Sequence, residues 1–129
     1  MKKETKCYFI VNNPVFQYDT VFSFGQTDEE LRKKIKGFVE ESELDVEYSS
    51  EDNNGYCRKF KSGILLMMVR TIPRVAYDFG VLAHEIFHSV EMRLSASGVE
   101  FNQDMINEPL AYCIQYTTEQ CYKKLNKYY

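Results

Sequence analysis

The stretch from Val75 to Leu94 constrains the fold more than any other part of the chain. Apolar residues recur there at Val75, Phe79, Leu82, Ala83, Ile86, Val90 and Leu94, the spacing of an amphipathic helix with one buried side. Pro73 punctuates the chain before it and Gly98 is placed to end it. A helix of about twenty residues, about 30 Å long, must lay its apolar stripe on something. The preceding residues supply strands. Cys7 to Val11 reads as a short strand. Val15 to Phe24 alternates, with Phe16, Tyr18, Thr20, Phe22 and Phe24 on one face and Gln17, Asp19 and Ser23 on the other, so a half-buried strand is expected. Tyr56 to Phe60 and Ile64 to Arg70 read as two more, joined at Lys61-Ser62-Gly63 in a hairpin.

Two further helices complete the pattern. Thr27-Asp28-Glu29-Glu30 has the capping-box form, which predicts a helix from Asp28 to Glu41 with Leu31, Ile35 and Phe38 turned inward. The polar run Ser49 to Gly55 reads as a loop. Pro109 suits a first helical position, and Lys123, Lys124 and Lys127 suit a C-terminal one, so a long helix is expected from Pro109 to Lys127. The fold class this implies is α+β: one domain over residues 1–129, with a small, mostly antiparallel sheet packed against helices. At 129 residues and 44% hydrophobic the chain can bury one modest core. A net charge of −3 argues against a general nucleic-acid binder, which would present a basic face. No apolar run approaches the ~20 residues that cross a bilayer, so no membrane partner is expected. The basic start, Met1 to Lys6, is followed by too short an apolar stretch for a secretory signal, and a cytoplasmic location is the expectation. The four cysteines form no CxxC pair and are expected as buried, reduced thiols.

The long helix also carries the chemistry. His84 and His88, the only histidines, are four apart and stand one above the other on one helix face. Two imidazoles so placed can bind one Zn²⁺ at ~2.0–2.1 Å each. Glu85 is rotated by about 100° from His84, away from the ligand position but within reach of a zinc-activated water whose proton it can take. Zinc needs a third protein ligand. Glu108, twenty positions after His88 at the start of the next helix, is placed for it, with Glu91, Asp104 and Glu100 as rivals. Glu91, three residues after His88, also suits a partner of the ligands. Gly80, one turn before His84 on that face, either leaves room for a substrate or a neighbouring element or marks a close helix–strand contact.

His84-Glu85-Ile86-Phe87-His88, followed by Asn107-Glu108-Pro109-Leu110-Ala111, resembles the gluzincins, the thermolysin-like branch of the zinc peptidases, in a minimal single-domain form. The resemblance covers roughly Ile64 through Tyr116. The chain is also similar to small HExxH proteins of bacteriophages and their hosts. The resemblance implies a zincin-like fold, His84, His88 and Glu108 as metal ligands, Glu85 as catalytic base and hydrolysis of peptide bonds. It implies further that an edge strand, here Ile64, Leu65, Leu66, Met67, Met68 and Val69, lines the cleft and pairs with an extended substrate. Thermolysin-like enzymes stabilise the oxyanion with an extra histidine, which this chain lacks. Tyr112 and Tyr77 are the candidates on spacing. The alternative is a zinc-binding regulatory or interaction module with weak or no catalysis, and a plain structural domain is the third reading.

Overall fold

The computed structural model describes residues 4–12, 19–44, 54–98 and 108–129. Strands β1 (Cys7–Val11), β2 (Asp19–Phe24), β3 (Gly55–Lys59) and β4 (Ile64–Val69) form one sheet in the order β1-β2-β4-β3. Helices α1 (Asp28–Ile35) and α2 (Glu41–Leu44) fall between β2 and β3, and α3 (Ala76–Ala96) and α4 (Glu108–Leu125) follow the sheet. A single 3₁₀ turn, Asn126–Tyr128, closes the order. The chain is α+β, as expected, with a mixed sheet: β1–β2 and β3–β4 are antiparallel, and the central β2–β4 pairing is parallel. The long connection through α1 and α2 is what permits a parallel return, since only adjacent antiparallel strands can be joined by a tight turn. The expected hairpin is β3–β4, closed by Phe60 N–H donating to Ile64 O at 2.9 Å, with Gly63 at φ +94° in the turn.

Side chains alternate strictly across this sheet, yet both faces are covered. Cys7, Val11, Phe22, Phe24, Met67 and Val69 pack on one side under Leu82, Ile86, Val90 and Leu94 of α3 and Cys113, Cys121 and Leu125 of α4. Val21, Leu66 and Met68 pack on the other against Leu31 and Ile35 of α1. This double cover corrects two expectations. β2 is buried from Thr20 through Phe24 rather than half-buried, Ser23 included. β4 is not an edge strand; it is flanked by β2 and β3 and buried from Leu65 to Val69. An unbroken apolar run such as Ile64 to Val69 is the mark of a strand covered on both faces.

Local signals set most helix boundaries. The Thr27 capping box is formed: Glu30 N–H donates to Thr27 Oγ1 at 3.1 Å and Thr27 N–H to Glu30 Oε1 at 3.2 Å. The helix it starts stops at Ile35, short of Glu41, and Phe38 is 44% exposed rather than inward. Gly37 sits in the turn that breaks it, where a poor helix former weakens continuation. Gly98 takes φ +78° after α3, as its position suggested. On α3 itself Val75 (59% exposed) and Ala83 lie outside the core, because Val75 is the cap before the helix and Ala83 falls on its outer side. Residues 13–18, including Val15 to Tyr18 of the expected strand, and the loop residues before Asn54 lie outside the described residues.

All four cysteines are free, and burial pushes the Cys57 and Cys121 thiols up to about 12. Both should therefore resist a thiol reagent at pH 8 in the native chain and react once it is unfolded; labelling with and without guanidinium checks this. The same shift has a stability consequence. Between about pH 9 and 12 the unfolded chain loses these protons while the fold retains them, so stability should fall as pH rises through that window. The midpoint of thermal unfolding measured from pH 8 to 11 tests the sign.

Candidate functional site

The geometry of α3 sorts its polar residues. Leu82, Ile86, Val90 and Leu94 form the ridge on the sheet, and His84 lies about 200° round from Leu82, on the open side. Glu85 falls about 60° from Leu82 the other way, which turns it inward towards β3. It is only 6% exposed. The contact is close: a Cβ added to Gly55 would lie 2.7 Å from Glu85 Cγ and 3.0 Å from Oε1. Only a glycine lets the edge strand approach this carboxylate so nearly. Burial pushes the Glu85 carboxyl above the ordinary carboxylate range, and the His84 and His88 rings pull it part of the way back.

The two imidazoles converge. His84 Nε2 and His88 Nε2 are 3.1 Å apart, their ring centroids 4.6 Å apart in an edge-on arrangement. Two nitrogens bound to one tetrahedral zinc at ~2.0–2.1 Å stand roughly 3.3 Å apart, so this pair fits that ion as two of its ligands. On its far side His88 Nδ1 faces Glu91 Oε1 at 3.6 Å. Glu91 thus faces the side of the His88 ring turned away from His84.

A cleft of about 410 Å³ adjoins the pair, lined by Asn54, Gly55, Tyr77, Gly80, Val81, His84 and Glu85. A Cβ at Gly80 would meet nothing within 4 Å, so no close helix–strand contact is made there among the described residues. Tyr77 thus joins His84 and Glu85 as expected from spacing, and its hydroxyl accepts a hydrogen bond from Asn54 Nδ2 at 2.6 Å. Asn54 and Gly55 were not legible as site residues. The only signal was an Asn-Gly step at the end of a polar loop, where an incoming strand begins.

Glu108 and Tyr112 stand apart from this group. α4 runs antiparallel to α3: Arg93 meets Cys113 and Thr117, while Phe79 stacks on Tyr122 at 6.1 Å. Glu108 lies five residues before Cys113, and His88 five before Arg93, so they diverge along the pair by about 15 Å at 1.5 Å per residue. Glu108 is exposed at the head of α4, and Tyr112 is 67% exposed and does not line the cleft. Among the described residues no group of three His, Cys, Asp or Glu gathers as a metal cage. Glu100 and Asp104 lie outside the described residues. Among the described residues, no helix is long and apolar enough to cross a membrane.

No protein-family model, curated protein or solved structure matches this chain.

Proposed function

We propose that this chain is a zinc-dependent peptidase in which His84 and His88 hold the metal and Glu85 is the general base. The observation that carries the reading is the convergence of the two ε nitrogens at 3.1 Å on the open side of α3, with the Glu85 carboxylate one residue along and a cleft beside it. Glu108 is proposed as the third ligand on the strength of its sequence context alone, since its position at the head of α4 gives that role no support. When bound, zinc supplies a Lewis acid that acidifies water and polarises the scissile carbonyl.

The residues of the chain then divide the work. Glu85 takes a proton from the attacking water as its oxygen bonds to the carbonyl carbon. It returns that proton to the amine nitrogen as the C–N bond breaks. Gly55, having no side chain, leaves the space that the Glu85 side chain occupies beside β3. The edge-strand role expected of Ile64 to Val69 passes to β3. This strand pairs with β4 alone among the described strands and begins at Gly55, beside Glu85. An extended peptide would add to it by backbone hydrogen bonds, its scissile bond drawn past the carboxylate.

The test is turnover of a broad peptide library by chain loaded with zinc. Wild type should cleave, and Glu85→Gln should keep its zinc while losing cleavage by about 10³-fold or more, since it removes the base but not a ligand. Equal cleavage by both would sink the enzymatic reading. Zinc bound at one equivalent without any turnover would favour the regulatory-module alternative.

A further inference from the structure

The hydrogen bond between Asn54 and Tyr77 does more than tie the loop before β3 to the first turn of α3. Asn54 Nδ2 donates and Tyr77 Oη accepts, at 2.6 Å. A phenol oxygen that accepts one bond still carries its own hydrogen for a second partner, and accepting a bond polarises that O–H and strengthens it as a donor. Tyr77 is 65% exposed and lines the same cleft as His84 and Glu85. It stands seven residues before His84, about two turns away on the same helix face. Gly80 falls between them on that face, where an added Cβ would meet nothing within 4 Å, and it lines the same cleft. With no histidine beyond His84 and His88, no third imidazole is available for charge stabilisation.

We infer that Tyr77 donates a hydrogen bond to the substrate carbonyl oxygen as negative charge builds on it, and that Asn54 is the positioning residue that aims the hydroxyl. This rests on the hydrolytic reading above. As the water oxygen bonds to the carbonyl carbon, the π pair moves onto the carbonyl oxygen, and Tyr77 stabilises that charge without giving up its proton. The pair returns to the carbonyl when the C–N bond breaks and the amine leaves with the proton carried by Glu85.

Three measurements on the full chain test the assignment. In zinc-loaded protein, Tyr77→Phe should lower kcat by about 10²-fold with KM and zinc content little changed, the scale of losing one oxyanion donor. Asn54→Ala should lower kcat less, and the double variant should be no worse than Tyr77→Phe, because Asn54 acts through Tyr77. Binding of a phosphinic peptide, which mimics the tetrahedral anion, should weaken in Tyr77→Phe while binding of the cleaved product peptide stays as in wild type. In zinc-free protein, the Asn54 side-chain amide resonances should shift in Tyr77→Phe. Full kcat in Tyr77→Phe with cleavage still dependent on Glu85 would overturn the Tyr77 assignment alone. Additive losses in the double variant, or an unshifted Asn54 amide, would overturn the positioning role. Absence of any Glu85-dependent cleavage in wild type would remove the hydrolytic reading and this assignment with it.

Discussion

Replacing His84 and His88 together by alanine should reduce bound zinc from near one equivalent per chain to background while leaving the fold intact. Both rings lie on the open side of α3, outside the ridge of Leu82, Ile86, Val90 and Leu94 that holds the helix to the sheet. Alanine is the best helix former, so the apo variant should unfold within about 0.5 kcal/mol of apo wild type. The difference should appear on adding metal. At a free zinc concentration one hundred times the Kd, wild type gains about 2.7 kcal/mol and the variant gains nothing. Elemental analysis after dialysis, with thermal melts at stepped zinc concentrations, reads both effects. Near-stoichiometric zinc in the double variant would place the metal elsewhere and overturn the site. The carboxylates give a finer test. Glu91→Gln should weaken zinc binding by about 10–100-fold if Glu91 orients His88. Glu108→Gln should weaken it further if it supplies a direct bond. Loss with Glu91→Gln and none with Glu108→Gln would show that Glu108 is not a ligand.

What could be read in advance follows how local each determinant is. The Thr27–Glu30 cap, the Lys61-Ser62-Gly63 turn and the Gly98 stop are written within a few residues, and each stands where it was expected. The four-residue spacing of His84 and His88 likewise fixes their convergence as soon as the segment is helical. Strand order is a different kind of fact. Ile64 to Val69 could line an edge or fill a centre by composition alone, and only the parallel return of β4 beside β2 decides it. The Gly55–Glu85 contact joins residues thirty positions apart, and nothing in either neighbourhood signals the other. Glu108 shows the converse. Its spacing from His88 matches a pattern, but the packing of Arg93 against Cys113 and Thr117 sets the register of α4 and leads Glu108 away.

That same packing makes Arg93 the residue whose loss should cost the fold most. Its side chain is fully buried. The guanidinium donates to Thr20 Oγ1 on β2, to Thr117 Oγ1 on α4 at 3.4 Å and to Cys113 Sγ at 3.8 Å, so one group joins the sheet to both long helices. Among the described residues its buried Nε finds no partner, a cost the other contacts must offset. Arg93→Ala removes a large buried volume and strands two threonine hydroxyls, and should destabilise by about 3 kcal/mol or more, on the scale of large-to-small core changes. For a chain of this size that is a fall of about 10–15 °C in unfolding midpoint. Arg93→Met separates volume from charge. It strands the same two threonine hydroxyls but refills most of the space and removes a buried cation, and should cost about 1–2 kcal/mol, less than Arg93→Ala. Equal losses in the two variants would show that the hydrogen bonds, not the filled volume, hold α3 in place. The consequence reaches the site, because Arg93 lies two turns beyond Glu85 on the inner side of the same helix. A helix that shifts on the sheet when Arg93 is cut back carries Glu85 away from Gly55. Arg93→Ala should therefore lose turnover at temperatures where it is still folded, and Arg93→Met should keep it.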